Sequence, residues 1–400
     1  MTQETLLRQI TDYANRANPY PLYAQLRETP VSRQEDGTYV VSTYREIVDL
    51  LHDPRISSDE RKRSQAGNEQ PEHQRPPTLI SLDPPEHDRL RRLAMRQFGP
   101  PHRPELVESI RVGMANSVNI LIDRVQDQRQ IDIFESVAYP FPVTVICELL
   151  GVPREDEPRF HVWAEAIIAP MDSEEAQQKR DLAFADLGQY LGGLAEAHSK
   201  HPGQDMLSGL TTDNGPEGRM SPRDLVSTAI LLLIAGHETT VNLTDNGMLT
   251  LLRHPDILAQ LRREPELIIE LVEELLRYEP PVQFLPQRTT LEEITIAGTT
   301  IPKGVPLTLL LAAGSRDPER FSEPERFDPN RQDNQHLGFG SGIHYCFGAP
   351  LARLEVQTML TELVRRLENP RLVVDPPPYR PSPILRGPQQ LLVEVDGVRA

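Results

Sequence analysis

The sequence predicts a mainly helical fold with small β-sheets (α+β), in one domain over residues 1–400, built around a helix long enough to cross the molecule. Three observations predict it. From Asp83 to about Leu275 apolar residues recur at helical spacing. Within that stretch Ser221 to His254-Pro255 carries no breaker; it spans roughly 32 residues or about 48 Å, in a globule about 55 Å across. After Pro280-Pro281 the character changes to β-branched, glycine-punctuated sequence such as ITIAGTTIPKGVPLTLLL.

Each element has a local reason. VSRQEDGTYVVS sets a DG turn between two short β-prone runs, and YREIVDLLHDP follows as a helix. Residues 55–80 are polar and without period, as in a long surface loop. Asp83-Pro84-Pro85-Glu86 predicts a helix start with a capping carboxylate and first-turn prolines, and Ser221-Pro222-Arg223-Asp224 repeats the design. Further helices are expected around 157–200, and LLVEV near the C-terminus reads as another strand. No linker or internal repeat divides the chain.

Composition narrows the function classes. A net charge of −17 argues against non-specific binding to nucleic acid or anionic membranes. Two cysteines, Cys147 and Cys346, make neither a disulfide framework nor a CxxC zinc site. MTQETLLRQI lacks the basic and apolar regions of a signal peptide, and the apolar run Ala229–Ala235 is far shorter than the ~18 residues of a membrane span. A soluble, cytoplasmic protein without a membrane partner is expected.

Polar residues interrupt the long helix in LLLIAGHETTVN. Glycine weakens a helix, and a buried carboxylate costs several kcal/mol or takes up a proton. Gly236, Glu238 and Thr239 together therefore point to a break where helix meets ligand. The zinc-protease motif HExxH fails here, because Val241 stands where its second histidine would be. Glu274 and Arg277 lie three apart on one helix face, and His87 and Arg91 four apart on another.

HLGFGSGIHYCFG, residues 336–348, surrounds Cys346 with glycines and two histidines. A dinucleotide fingerprint fails at Tyr345, and the Gly-Lys-Ser/Thr ending of a phosphate loop is missing. FGAPLARLEVQTMLTELVRRL then reads as an amphipathic helix with Pro350 in its first turn. Cys346 thus sits at a helix N-terminus, which favours thiolate. Cys147, in the apolar run VTVICELL, reads as an inert core residue. A thiolate in a loop open to a flat ligand favours an axial iron ligand.

With these residues in place, the chain resembles the soluble bacterial cytochrome P450 family of haem-thiolate monooxygenases, from His87 to about Arg353 and in overall length. Phe339, Gly340, Gly342, His344, Cys346 and Gly348 match its cysteine loop; AGHETT matches its oxygen-activating stretch; Glu274, Arg277 and Arg326 match its structural network. The resemblance implies the P450 fold with the long helix over haem b (iron protoporphyrin IX) and Cys346 on the iron. It implies propionate contacts from His87, Arg91, Arg288 and His344, and close approach at Ala235 and Gly236. Glu238 and Thr239 would deliver protons. Leu231, Leu232, Ala235, Val282, Phe284, Leu285, Ile384 and Leu385 would line an apolar substrate pocket. The reaction implied is O2-dependent oxidation of an apolar small molecule such as a polyketide, terpenoid, steroid or fatty acid. A ferredoxin or flavodoxin with its reductase would supply electrons to a monomer, with Arg92 and Arg96 as docking candidates. A peroxide-driven haem-thiolate enzyme and a non-catalytic haem sensor are the alternatives.

Overall fold

The structure is a computed structural model that describes residues 3–62, 77–98, 104–169 and 173–400. Its chain gathers into two compact units, one of residues 1–69, 122–138 and 239–400, the other of residues 70–121 and 139–238.

The first unit holds the sheets. The DG turn closes a hairpin of Val31–Arg33 on Tyr39–Val41, with Gly37 at φ 84°. Tyr39–Val41 runs parallel to Pro306–Leu309, which pairs with Leu285–Thr290, and Ile56–Ser57 adds the far edge. Alternation along these strands buries Val41, Leu307 and Leu309 against Ile47 and Leu50 of the Tyr44–His52 helix. Ile294–Ile296 and Thr299–Ile301 form a second hairpin, and Leu392–Glu394 lies between Arg371–Leu372 and Gln130–Asp132. The expected loop at 55–80 therefore begins with a strand and a short 3₁₀ turn, Glu60–Lys62; residues 63–76 lie outside the described residues.

The second unit is helical, with Glu86–Arg96, Pro140–Leu150, Glu157–Ile168, Glu174–Lys200 and Met206–Thr212 among its elements. At Glu86–Arg96 the expected carboxylate cap is replaced: Pro85 holds the N-cap position without a side-chain bond, and the His87 amide donates to the Asp83 main-chain oxygen at 3.0 Å. Ser221 does cap as expected, its Oγ accepting from the Asp224 amide at 3.1 Å.

The long helix, Pro222–Arg253, has 32 residues, and the division between the units falls within it, between Glu238 and Thr239. It is helical throughout, so the expected break at Gly236 is absent. The reason is packing: a Cβ on Gly236 would lie 3.3 Å from Ile146 of the Pro140–Leu150 helix. The glycine admits a neighbouring helix there. By length and composition alone this helix could cross a membrane, yet 50% of its most apolar window is buried in the fold.

Candidate active site

The cysteine loop is shaped by main-chain bonds. Gly340 N donates to Leu337 O at 2.8 Å, and Cys346 N donates to Phe339 O at 2.9 Å, closing the loop across a 3₁₀ turn at Gly342–His344. Gly340 and Gly342 take φ of 68° and 67°, a region L side chains avoid. The glycines have different reasons. A Cβ on Gly338 would sit 2.6 Å from Leu276 O, and one on Gly342 would strike Leu51 O. By contrast, a Cβ on Gly340 or Gly348 would meet nothing within 4 Å. Gly348 caps the Ala349–Arg366 helix, and Cys346 is half-buried just before it.

Beneath the loop lies a buried ion network. Arg277 donates to both oxygens of Glu274 at 2.8 Å, both side chains being fully buried. Arg277 also donates to the main-chain oxygens of Ser315, Pro324 and Arg326 at 3.2, 2.8 and 3.0 Å. Arg326 was expected to complete this network with its guanidinium; instead only its carbonyl takes part, and its side chain is exposed toward Glu323 and Asp328. The second guanidinium is that of Arg331, whose Nε donates to Glu274 at 3.3 and 3.4 Å; Asn334 and the Asp328 amide add donors at 3.1 and 2.9 Å.

A second network lies one residue away and went unseen in the sequence. Arg353 donates two bonds to Glu273 at 2.6 and 2.8 Å, and His336 Nε2 lies 3.2 Å from the same carboxylate. Gly338 N donates to His336 Nδ1 at 3.1 Å, so the proton of that ring sits on Nε2 and points at Glu273. Burial opposes the charge on Glu273, yet Arg353 and His336 hold its carboxyl down to about 2. Arg353 also lies over the Phe339 ring at 4.6 Å. The first network ties the 315–334 segment to the Ile268–Tyr278 helix, and the second ties His336 of the cysteine loop and the helix after it to the same helix.

In the second unit, Leu231 and Leu232 are half-buried, Ala235 is exposed, and Glu238 is buried. Leu231 and Ala235 stand one turn apart, so the middle of the long helix carries an apolar strip that is half-buried to exposed. His237 packs edge-on against Tyr139 at 4.4 Å, away from that strip. His87 is buried with Nδ1 2.8 Å from Asp88, and Arg91 follows one turn on. Arg92 and Arg96, the expected docking residues, are engaged within the chain: Arg92 pairs with Glu217 at 3.2 Å, and Arg96 with Asp213 and Glu217 at 2.9 and 3.2 Å. They do not form a free cationic surface.

In the first unit, Thr239 is half-buried, and Thr240 shares a hydrogen bond with Glu355, whose carboxyl burial pushes well above the usual range. Arg288 lies on the Leu285–Thr290 strand opposite Leu307. Val282 and Leu385 form a bridge, and Gln283 N donates to Ile384 O at 2.8 Å. Phe284 is a correction: it is buried with Leu310, Tyr20 and Tyr23 in the core, on the side of the extended chain opposite its neighbour Leu285, whereas Val282 and Leu285 pack against the other cluster of this unit. Cys147 is fully buried, and burial followed by Glu157 pushes its thiol up to about 12, an inert residue.

One half-buried thiol, in a loop with open space at Gly340 and Gly348, is a donor set that fits a flat iron–porphyrin. Comparison with known proteins agrees. The sequence model of the cytochrome P450 family matches residues 194–395. The monooxygenase PikC of Streptomyces venezuelae is 40% identical over 93% of this chain and 89% of its own. The vitamin D(3) 25-hydroxylase of Pseudonocardia autotrophica is 39% identical, covering 92% of each. The crystal structure of CYP164A2 from Mycobacterium smegmatis superposes with a TM-score of 0.88 at 37% identity, over 98% of this chain and 100% of that one. A family model matched over half of the chain, together with relatives 37–40% identical over more than nine-tenths of it, shows that the chain belongs to the cytochrome P450 family of monooxygenases.

Proposed function

We propose that the chain binds haem b through Cys346 and oxidises a largely apolar small molecule with O2, using electrons from NAD(P)H passed through a ferredoxin or flavodoxin and its reductase. The observation that carries this is the cysteine loop: a lone accessible thiol, a helix starting just after it, and open space at two glycines. His87, Arg91, Arg288 and His344 would take the propionates, with Ala235, Phe339, Gly340 and Gly348 against the ring. When bound, the haem supplies oxygen activation, which electron donation by the thiolate favours.

The chain's own residues do the rest. Glu238 and Thr239 hold an acid and an alcohol in sequence on the long helix and would move protons to the reacting oxygen. Leu231, Leu232, Ala235, Val282, Leu285, Ile384 and Leu385 offer apolar surface that orients substrate and excludes water. A natural product, steroid or fatty acid suits that surface. Relatives support this range: 6-deoxyerythronolide B hydroxylase is 37% identical, CYP109E1 has been crystallised with corticosterone, and CYP267B1 with myristic acid. The working protein would be a cytoplasmic monomer in which the whole chain acts as one P450 domain.

The test is turnover of the haem-loaded protein on a lauric acid and steroid panel, with a surrogate ferredoxin, reductase and NADPH. Substrate-dependent NADPH consumption with oxidised product supports the reading. Turnover with peroxide alone would replace it with a peroxide-driven enzyme, and none under either condition with a haem sensor. Cys346→Ala should abolish the thiolate-type carbonyl spectrum of the reduced protein; a retained spectrum removes Cys346 as ligand.

A further inference from the structure

The long helix carries a second polar seam that the proposed chemistry does not use. Asn242, Asp245 and Asn246 are 0%, 0% and 1% exposed. Both oxygens of Asp245, both amide atoms of Asn242 and Oδ1 of Asn246 have no hydrogen-bond partner in the protein. Asn242 and Asn246 share the neighbourhood of Arg386 and Gly387 within the first unit, and Asp245 lies between them on the same helix. Asn246 Nδ2 donates to Glu279 O and Arg386 O at 3.2 and 3.0 Å, and the Asn242 side chain lies against the main chain of Gly387. Asp132, half-buried on the Gln130–Asp132 strand, accepts from Leu391 N at 3.1 Å with Oδ1, so it faces the same Arg386–Leu391 stretch.

The chemistry of these groups selects what joins them. An ionised Asp245 without a donor would cost several kcal/mol, which a proton removes. Burial, then the charge of Asp132, pushes the Asp245 carboxyl well above the usual range. Asn242 leaves donor and acceptor atoms together without protein partners, and water can satisfy both. Asn242 and Asn246 follow Thr239 at three and seven residues, one face of the helix, with Asp245 on the flank beside Asn242.

We propose that Asp245 is a buried, protonated acid that supplies protons to Thr239 along water held by Asn242 and Asn246, and is recharged from solvent through Asp132. The Asp245 carboxyl O–H bond breaks as its proton passes to a water on Asn242. That water releases one of its own protons toward Thr239 Oγ1. The Asp245 carboxylate regains a proton from water reached past Asp132, so the seam ends each cycle unchanged. Asp245 acts through Thr239 and is therefore a positioning residue. The transfer step rests on the reading of Thr239 as a proton carrier; the protonation of Asp245 does not.

The haem-loaded protein tests both parts. The infrared difference spectrum between wild type and Asp245→Asn should contain a protonated-carboxyl band that shifts in D2O. Its absence shows an ionised Asp245, as a bound cation would require, and overturns the proposal. In NADPH-driven turnover, Asp245→Asn should lower coupled product formation by about tenfold and raise the solvent isotope effect, with haem content unchanged. Asp132→Asn, which keeps an acceptor for the Leu391 amide, should raise the isotope effect in the same direction. Unchanged coupling and isotope effect in both variants overturn the transfer step even if the band is present. If Thr239→Ala itself stays fully coupled, the Thr239 reading falls and the transfer step with it, while the band still decides the state of Asp245.

Discussion

Arg331 closes on Glu274, its Nε 3.3 Å from Oε2, although Arg326 stands closer in sequence to the residues that matter and matches the family pattern. Arg326 reaches the network only through its carbonyl, which accepts from both Arg277 and Arg331 at 3.0 and 3.2 Å. The Glu274 carboxylate thus receives two guanidinium groups, an amide side chain and a main-chain N–H, and little of its hydrogen-bonding capacity remains open.

The two arginines should therefore separate in stability. Arg331→Ala removes charged hydrogen bonds from a buried carboxylate and should cost about 1.5–3 kcal/mol. Arg326→Ala removes only an exposed side chain and should stay within about 0.5 kcal/mol of wild type. Denaturant unfolding of the two variants checks this; equal losses would mean that the Arg326 side chain joins the network in solution.

Glu273 predicts an acid limb. Its folded carboxyl is held at about 2 against an ordinary 4.5, so its contribution is fully present above pH 4.5 and is lost as pH falls toward 2. The stability advantage of wild type over Glu273→Gln should shrink across that window. At neutral pH it should be roughly 1–2 kcal/mol after solvent screening. A difference that does not vary with pH across the window would show that Arg353 and His336 do not hold this carboxylate ionised.

The two thiols should differ in reactivity. With the Cys147 thiol pushed up to about 12, almost none of it is thiolate at neutral pH, whereas Cys346 is accessible ahead of a helix N-terminus. In haem-free protein at neutral pH, a maleimide should label Cys346 faster by a factor on the order of 100 or more. Loading with haem should protect it. Peptide mapping that finds Cys147 labelled first, or Cys346 unprotected, would count against the assignment of the ligand.

What could be read from the sequence was set by how local each signal is. The cysteine motif, the Glu274–Arg277 spacing and the uninterrupted run into Arg253 lie within one loop or one helix, where periodicity determines geometry. Arg331 and Arg353 reach their carboxylates across 57 and 80 residues, and nothing in their local sequence distinguishes them from other arginines. Phe284 went astray for a related reason: alternation says that it opposes Leu285, but which face is core depends on strands and helices far away in sequence. Gly236 read as a break because its cost is local, while Ile146, the neighbour that makes it useful, belongs to another helix.

The loop glycines give the last prediction. Gly340 and Gly342 share nearly the same φ, 68° and 67°, so alanine at either carries the same left-handed strain, about 1–2 kcal/mol. They differ in what a methyl group meets: open space at Gly340, and the Leu51 carbonyl of the Tyr44–His52 helix at Gly342. A carbonyl at the end of a helix cannot move aside as a flexible side chain can, so Gly342→Ala must displace the loop or the helix and should cost about 3 kcal/mol or more. Gly340→Ala should fold with only the backbone penalty. If haem lies against Gly340, that same variant should weaken haem retention more than its folding loss explains. Unfolding of the haem-free variants, followed by haem transfer to apomyoglobin, separates the two effects. Haem loss in proportion to stability for both variants would place the porphyrin away from Gly340.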